Sequence, residues 1–106
     1  MPALPEQHVN IRKKFKKLLK AVDNLGSIAR NTGPLDMKTS HLIQLAAAAA
    51  IRSEGSVHSH TRRALEAGAK ADEIYHAIIL LTSTIGFPTV SAALSWADDV
   101  IDKQKE

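Results

Sequence analysis

The sequence between Lys38 and Arg52 contains no Asp, Glu, Lys or Arg, and it includes five consecutive alanines at positions 46–50. Alanine has the highest intrinsic helix propensity, and a helix without a charged face is usually buried on most of its sides. In a chain of 106 residues, burial of that extent favours packing against other subunits. The alternative interpretation is that the alanines act only as good helix formers.

Apolar residues recur at helical spacing elsewhere, and no stretch alternates at period two for long enough to form a strand. We therefore predict an all-α, compact bundle of about five helices in a single domain over residues 1–106. The predicted helices are a basic amphipathic helix within residues 1–26 (about 7–25), then 35–51 with Asp36 as N-cap, 56–67, 72–85 and 88–101. Breaks are expected at a loop within 24–34, at Gly55, at Gly68 and at the turn 86–88.

Composition sets limits on the core and on the chemistry. Aromatic residues make up 4% of the chain and alanine is abundant, so the core must depend on helices that approach each other closely. The absence of cysteine excludes disulfides, thiolate nucleophiles and thiol-ligated metals. The opening residues Met1–Pro5 contain two prolines and no apolar run, so we expect no signal peptide, no membrane segment and a cytoplasmic location.

The basic character is concentrated in the first helix. Six of the 14 basic residues stand there: Arg12, Lys13, Lys14, Lys16, Lys17 and Lys20. Such a cluster suits nucleic acid or an anionic membrane surface. Phe15 is the only aromatic residue among them, and the apolar stripe of the helix is expected to join the core. We therefore favour a solvated outer face and expect neither nucleic acid nor membrane as a partner.

Helical geometry separates the histidines of the second and third helices. His60 shares a face with Val57, Thr61 and Ala64, so it is predicted to point inward. His58 lies about 200° away around the helix, and is expected to face water. His41 stands one turn before Leu45 on the second helix and is also predicted to point inward. The simpler interpretation is that each inward histidine is a core residue bonded to a carbonyl or to water.

Three sequence segments resemble the carboxymuconolactone decarboxylase-like superfamily, which includes alkylhydroperoxidase D-like proteins. Leu35-Asp36-Met37-Lys38-Thr39-Ser40-His41-Leu42-Ile43 is similar to the start of its first signature helix. The run from His60 to Ala69, followed by Asp72-Glu73-Ile74, resembles its second signature, and Gly86-Phe87-Pro88 resembles the turn before its last helix. The resemblance implies a family core at 35–101, an alkylhydroperoxidase D-like fold and a homo-oligomer, either a trimer or a hexamer.

The same resemblance indicates which signature residues of the family are replaced in this sequence. In the alkylhydroperoxidase D-like branch, a Cys-x-x-Cys-x-x-x-His signature works with a glutamate on the preceding helix. By position the two cysteines correspond to Ser53 and Ser56, the histidine to His60 and the glutamate to His41. Because serine cannot form the disulfide that thiol–disulfide exchange requires, peroxidase activity of that type is not expected.

The decarboxylase branch also resembles the chain and does not need the cysteines. It keeps a histidine at the position of His60 with acidic residues before it, and Glu54 occupies a matching place. It implies proton transfer on a small carboxylated or carbonyl compound, for which imidazole is suited. The predicted catalytic residues are His60, His41, Glu54 and Ser56; the predicted substrate-binding residues are Arg52 and Ser53. No cofactor is predicted.

Four alternatives to this chemistry remain open at this stage. One is a non-catalytic scaffold or small-ligand binder, and another is a nucleic-acid-associated protein that uses the first helix. Ser56 and His60 are spaced as a serine–histidine pair would be, although Ser56 is better explained as a helix cap. His41, His60 and Glu54 are donor types that zinc or nickel would accept, but a metal is not favoured.

Overall fold

The structure is a computed structural model that describes residues 6–104, with side chains from Val9 onward. The opening Met1–Pro5, on which the expectation of no signal peptide was based, lies outside these residues. Seven helical segments occur in the described part: α1 (Glu6–Lys14), α2 (Lys16–Arg30), α3 (Met37–Ala50), α4 (Glu54–Glu66), α5 (Ala71–Ile79), α6 (Thr82–Ile85) and α7 (Phe87–Gln104). The predicted all-α class is confirmed over residues 6–104, where no strand occurs.

Backbone contacts divide the described residues into two units, 6–35 and 36–104. The first contains α1 and α2, and the second contains α3 to α7. The expectation of a single domain over the whole sequence stays a prediction.

The predicted first helix is bent and longer than expected. It breaks at Phe15, whose φ of −127° and ψ of 52° are not helical, and α2 then continues to Arg30. Gly26 therefore lies within α2 and does not begin a loop as predicted. A single glycine inside a helix lowers its stability by only about 1 kcal/mol, so the helix continues through it. The helix ends where Asn31 Nδ2 and Thr32 Oγ1 donate to the carbonyls of Ser27 and Ile28.

A bidentate ion pair joins α1 to α2. Arg12 Nη1 and Nη2 donate to the two carboxylate oxygens of Asp23 at 2.8 and 3.0 Å. The bond to Asp23 is the main reason that the pKa of Arg12 is raised. No residue of α2 is buried, and the expectation that its apolar stripe joins the core stays a prediction.

Asp36 caps α3 as predicted. Its side chain accepts a hydrogen bond from the Thr39 backbone N–H at 2.8 Å, which also lowers the pKa of the carboxyl group. Lys38 Nζ donates to Glu73 Oε2 at 3.0 Å and so ties the start of α3 to the first turn of α5. Glu73 also accepts from the Lys70 backbone N–H, which is the main reason that its pKa is lowered, and the bond from Lys38 lowers it further.

The hydrophobic core of the second unit is built largely from small side chains. Its buried apolar residues are Leu45, Ala48, Ala49, Val57, Ala64, Ala69, Ile74, Ile78, Val90, Ala93, Ala97, Val100 and Ile101. Six of these 13 are alanine. Five of the six lie on α3, α4 and α7, where so small a side chain lets the helices approach closely, as the composition predicted. Tyr75 Oη donates to Asp98 Oδ1 at 2.6 Å and links α5 to α7 at the margin of this core.

The uncharged helix α3 is only partly buried in one chain. Ser40, His41, Leu45, Ala48 and Ala49 are buried. Its other sides are open, and Ile43 is 51% exposed. Burial on most sides is therefore not achieved within the chain itself.

The predicted fourth helix, 72–85, is divided in two. α5 ends at Ile79, and the short α6 occupies Thr82–Ile85 before Gly86 turns the chain with a φ of +89°. Pro88 is the second residue of α7, where a missing backbone N–H costs no helical bond. No described helix is long and apolar enough to cross a membrane.

Candidate functional site: a histidine pair between two helices

His41 and His60 meet at the contact between α3 and α4. Their Nδ1 atoms lie 3.2 Å apart, and their ring centroids are separated by 5.5 Å with an interplanar angle of 35°. His41 is buried, at 5% exposure, whereas His60 is half-buried. The predicted convergence of two inward histidines is therefore present.

Packing of the two helices holds these rings in place. Leu45 follows His41 by one turn on α3, and Val57 and Ala64 flank His60 on α4; all three are fully buried. Side chains in a well-packed interior have few alternative rotamers. These buried neighbours therefore hold the helix backbone on either side of each histidine in place. The two rings meet as a consequence of that helix contact.

The short Nδ1–Nδ1 distance restricts the protonation states that the pair can adopt. A neutral imidazole has one N–H donor and one acceptor nitrogen, whereas the cation has two donors. The contact is a hydrogen bond only when one Nδ1 carries a proton and the other does not. The pair can thus hold its bond in the neutral state or with one additional proton, but not with both rings protonated.

Arg52 and Ser53 lie in the turn between α3 and α4. The Ser53 N–H donates to the Ala48 carbonyl and the Arg52 N–H to the Ala49 carbonyl, which is the Schellman arrangement of a helix end. Arg52 occupies the left-handed position with a φ of +57°. At the end of α4 the same arrangement has Gly68 in that position, with a φ of +99°.

An arginine in the left-handed region costs about 1 kcal/mol that glycine would not. In this strained conformation the exposed Arg52 lies beside α7, and its Nη1 donates to Thr89 Oγ1 at 2.7 Å. This turn also corrects one sequence prediction. α3 ends at Ala50, and Gly55, which was expected to break the helix, is the second residue of α4.

Ser56 is not a helix cap. It is the third residue of α4, and the N-cap position is occupied by Ser53, whose side chain makes no capping hydrogen bond. Ser56 stands one turn before His60, as the spacing predicted. The Oγ1 of Thr61, the residue after His60, is fully buried and has no hydrogen-bond partner among the described residues.

Glu54 belongs to a different cluster from the one expected. Its carboxylate lies with His58 and Asp99, and one ligand atom from each comes within 4.8 Å of the others. His58 was expected to face water, but its side chain is only 20% exposed and its Nε2 lies 2.9 Å from Asp99 Oδ2. Within the described residues no three-ligand group joins Glu54 to the histidine pair.

Sequence reasoning missed Asp99 because α7 contacts α4 only in the folded chain. A weak signal was present in the i, i+4 spacing of Glu54 and His58, which places two donor side chains on the same face of one helix.

The sequence profile described as the carboxymuconolactone decarboxylase family matches residues 16–99. The chain belongs to the carboxymuconolactone decarboxylase family. The resemblance found in three segments between Leu35 and Pro88 is therefore confirmed, and the match extends further, into α2. No curated protein matches the chain.

Two solved structures are similar to this family member. One is the apo form of a carboxymuconolactone decarboxylase family protein from Legionella pneumophila, at 25% identity and a TM-score of 0.71, covering 89% of this chain and 87% of that one. The other is a protein from Thermotoga maritima, at 23% identity and a TM-score of 0.71, covering 95% of this chain and 98% of that one. The second likeness concerns the fold alone.

This member of the family has no cysteine in its sequence. Serines occupy positions 53 and 56, and a serine hydroxyl can neither form a disulfide nor act as the thiolate of a thiol–disulfide exchange. Cysteine-dependent peroxidase chemistry is thus unavailable to these residues.

Proposed function

We propose that this carboxymuconolactone decarboxylase family protein performs acid–base chemistry of the decarboxylase or lyase type on a small carboxylated or carbonyl compound. The observation that carries the proposal is the 3.2 Å contact between the Nδ1 atoms of His41 and His60. Two coupled imidazoles, one of them accessible from solvent, form a group that accepts and returns a proton near neutral pH.

In this proposal His60 exchanges the proton with the substrate, because it is the more exposed ring of the pair. Its Nε2 is the ring nitrogen away from His41. When Nε2 takes a proton, the Nδ1–H of His60 donates to the neutral Nδ1 of His41, which stabilises the imidazolium. His41 is therefore a positioning residue, buried where its tautomer is set by the pair.

Arg52 is proposed to contact the carboxylate of the substrate, since its guanidinium is exposed and is held by the strained turn before α4. Ser53 and Ser56 are proposed to supply polar contacts close to His60. Glu54 was expected to share the catalytic work, but its neighbours His58 and Asp99 favour a separate role.

We also propose that the working unit is a homo-oligomer, a trimer or a hexamer. Exposed apolar side chains on both units support association: on α2 they include Leu18, Val22, Leu25 and Ile28, at 51–68% exposure, and on α3 they include Ile43 at 51%. Apolar faces exposed to this degree usually mark interaction surfaces.

The direct test compares His60→Gln and His41→Gln with the matched control His76→Gln, an exposed histidine on α5. Each protein is assayed for decarboxylation and proton uptake on a panel of carboxylated lactones and keto acids. We expect His60→Gln to lose at least about 100-fold in kcat/KM, as loss of a general acid–base does. His41→Gln should retain part of the rate with an altered pH profile, and His76→Gln should match the wild type.

Unchanged turnover in His60→Gln would remove the acid–base role. If wild-type protein neither turns over nor is thermally stabilised by any compound of the panel, the non-catalytic scaffold becomes the better interpretation. Histidine ¹⁵N NMR gives a readout without substrate: His41 and His60 should titrate as one coupled unit, and His41→Gln should make the titration of His60 independent.

A further inference from the structure

Three donor side chains converge on the surface between α4 and α7, apart from the histidine pair. Glu54 and His58 stand one turn apart on α4, and Asp99 reaches them from α7. One ligand atom from each residue lies within 4.8 Å of the others, with His58 Nε2 only 2.9 Å from Asp99 Oδ2.

We propose that Glu54, His58 and Asp99 bind one divalent transition-metal ion of the zinc type. Imidazole and carboxylate together are donors that Zn²⁺ accepts, and two carboxylates would balance its charge. Ligand atoms around a tetrahedral Zn²⁺ at about 2.1 Å stand roughly 3.4 Å apart. Side-chain movements of about 1 Å therefore convert the observed cluster into a coordination set.

A simple ion pair does not account for the arrangement. The contact between His58 and Asp99 would be sufficient for pairing α4 with α7, yet Glu54 adds a second carboxylate at the same place. Within the described residues, neither Lys nor Arg forms an ion pair with Glu54 or Asp99. Two carboxylates that approach each other repel. One imidazole carries at most one positive charge, whereas a bound divalent cation would balance both carboxylates.

The cluster is also held and accessible in the way that a metal site requires. Val57 next to His58, and Val100 next to Asp99, are buried in the core, so the backbone positions are fixed. Asp99 is 54% exposed and Glu54 is exposed, which gives an ion a route from solvent. Three protein ligands would leave at least one coordination position for water or a small anion.

The test is a calorimetric titration of purified, chelator-treated protein with Zn²⁺, repeated with Co²⁺ so that the visible spectrum reports the coordination. The variants are His58→Gln, Asp99→Asn and Glu54→Gln, with His76→Gln as the control. We expect wild type and His76→Gln to bind one ion per chain. His58→Gln should lose at least about tenfold in affinity, and Glu54→Gln and Asp99→Asn should show a loss in the same direction.

Thermal unfolding with and without Zn²⁺ separates the metal site from a plain ion pair. The ion should raise the Tm of wild type but not that of His58→Gln. If His58→Gln is poorly folded in chelator, Glu54→Gln carries the test, because Glu54 is exposed and its side chain makes none of the hydrogen bonds or ion pairs described above.

Three outcomes would overturn the proposal. They are no binding below millimolar Zn²⁺, an affinity unaffected by both His58→Gln and Glu54→Gln, and a loss that follows His60→Gln instead, which would place the ion at the histidine pair.

Discussion

Residues 6–35 and residues 36–104 both present helices with apolar stripes, but only the second unit has a buried core. In α2, Leu18 is 60% exposed, whereas Leu45 in α3 is fully buried. Both helices carry leucines at helical spacing. What differs is the presence of complementary helices: α3 lies against α4, α5 and α7, whereas α2 contacts α1 within the first unit. An apolar stripe therefore identifies a face that needs a partner, but not where the partner comes from.

The largest expected effect compares Leu45→Ala with Leu18→Ala. Leu45→Ala leaves a cavity in a fully packed core and should lower the free energy of unfolding by about 3 kcal/mol. Leu18→Ala removes an exposed side chain and should cost less than about 0.5 kcal/mol in the isolated chain. Urea unfolding monitored by circular dichroism measures both values.

Sedimentation of the same two variants sharpens the comparison. If α2 covers another copy, Leu18→Ala should lower the average mass at low protein concentration, and its effect on unfolding should depend on concentration. A loss equal to that of Leu45→Ala, at every concentration, would show that Leu18 belongs to a core within the chain and would end the contrast between the units.

An intermediate effect is expected for Tyr75→Phe at the margin of the core. The variant loses the hydrogen bond from Tyr75 to Asp98, for which we expect a cost of about 1 kcal/mol near pH 8. The pKa of Tyr75 is raised to about 12, first by this hydrogen bond, then by burial and by the charges of Asp98, Asp102 and Asp72.

The pH dependence of that effect has a defined sign. An unfolded tyrosine ionises near pH 10, so between about pH 10 and 12 the unfolded chain loses a proton that the folded chain retains. Wild type should thus lose stability as the pH rises through this window. Tyr75→Phe lacks this contribution, so the difference in free energy of unfolding between wild type and variant should narrow as the pH rises. A difference that stays constant from pH 8 to 11.5 would contradict the raised pKa.

The smallest effect is expected for Asp23→Asn in the first unit. The pair with Arg12 is bidentate, but its side chains are 32% and 43% exposed, so its loss should cost about 0.5 kcal/mol or less. The stability of wild type and variant, measured by urea unfolding, should converge in about 1 M salt, where the Debye length is about 3 Å. A larger loss of unfolding free energy that does not change with salt would contradict this prediction. It would show that the ion pair is essential to the stability of the first unit.

Local signals in the sequence predicted much of the fold. Asp36 marked the start of α3 because its side chain caps a backbone N–H within three residues, and Gly68 marked the end of α4 because it accepts a positive φ. Predictions failed where one local signal competed with another. Gly26 and Gly55 are tolerated inside helices. Arg52, in contrast, takes the left-handed position after a helix that is usually occupied by glycine.

The candidate site was predictable only in part. His41 and His60 could be placed on inward faces by helical period, because each face is set by residues three and four positions away. The cluster of Glu54, His58 and Asp99 could not, since its third member is separated by more than 40 residues from the other two. No periodicity relates residues that far apart.

By itself, the sequence determined the helical class, the close approach of alanine-rich helices, the loss of thiol chemistry and the family, because these depend on residue type and local spacing. Tertiary structure alone decided that the two imidazoles are within hydrogen-bonding distance and that Glu54 lies with His58 and Asp99. These depend on how separate helices meet, which is set by packing between residues far apart in the chain.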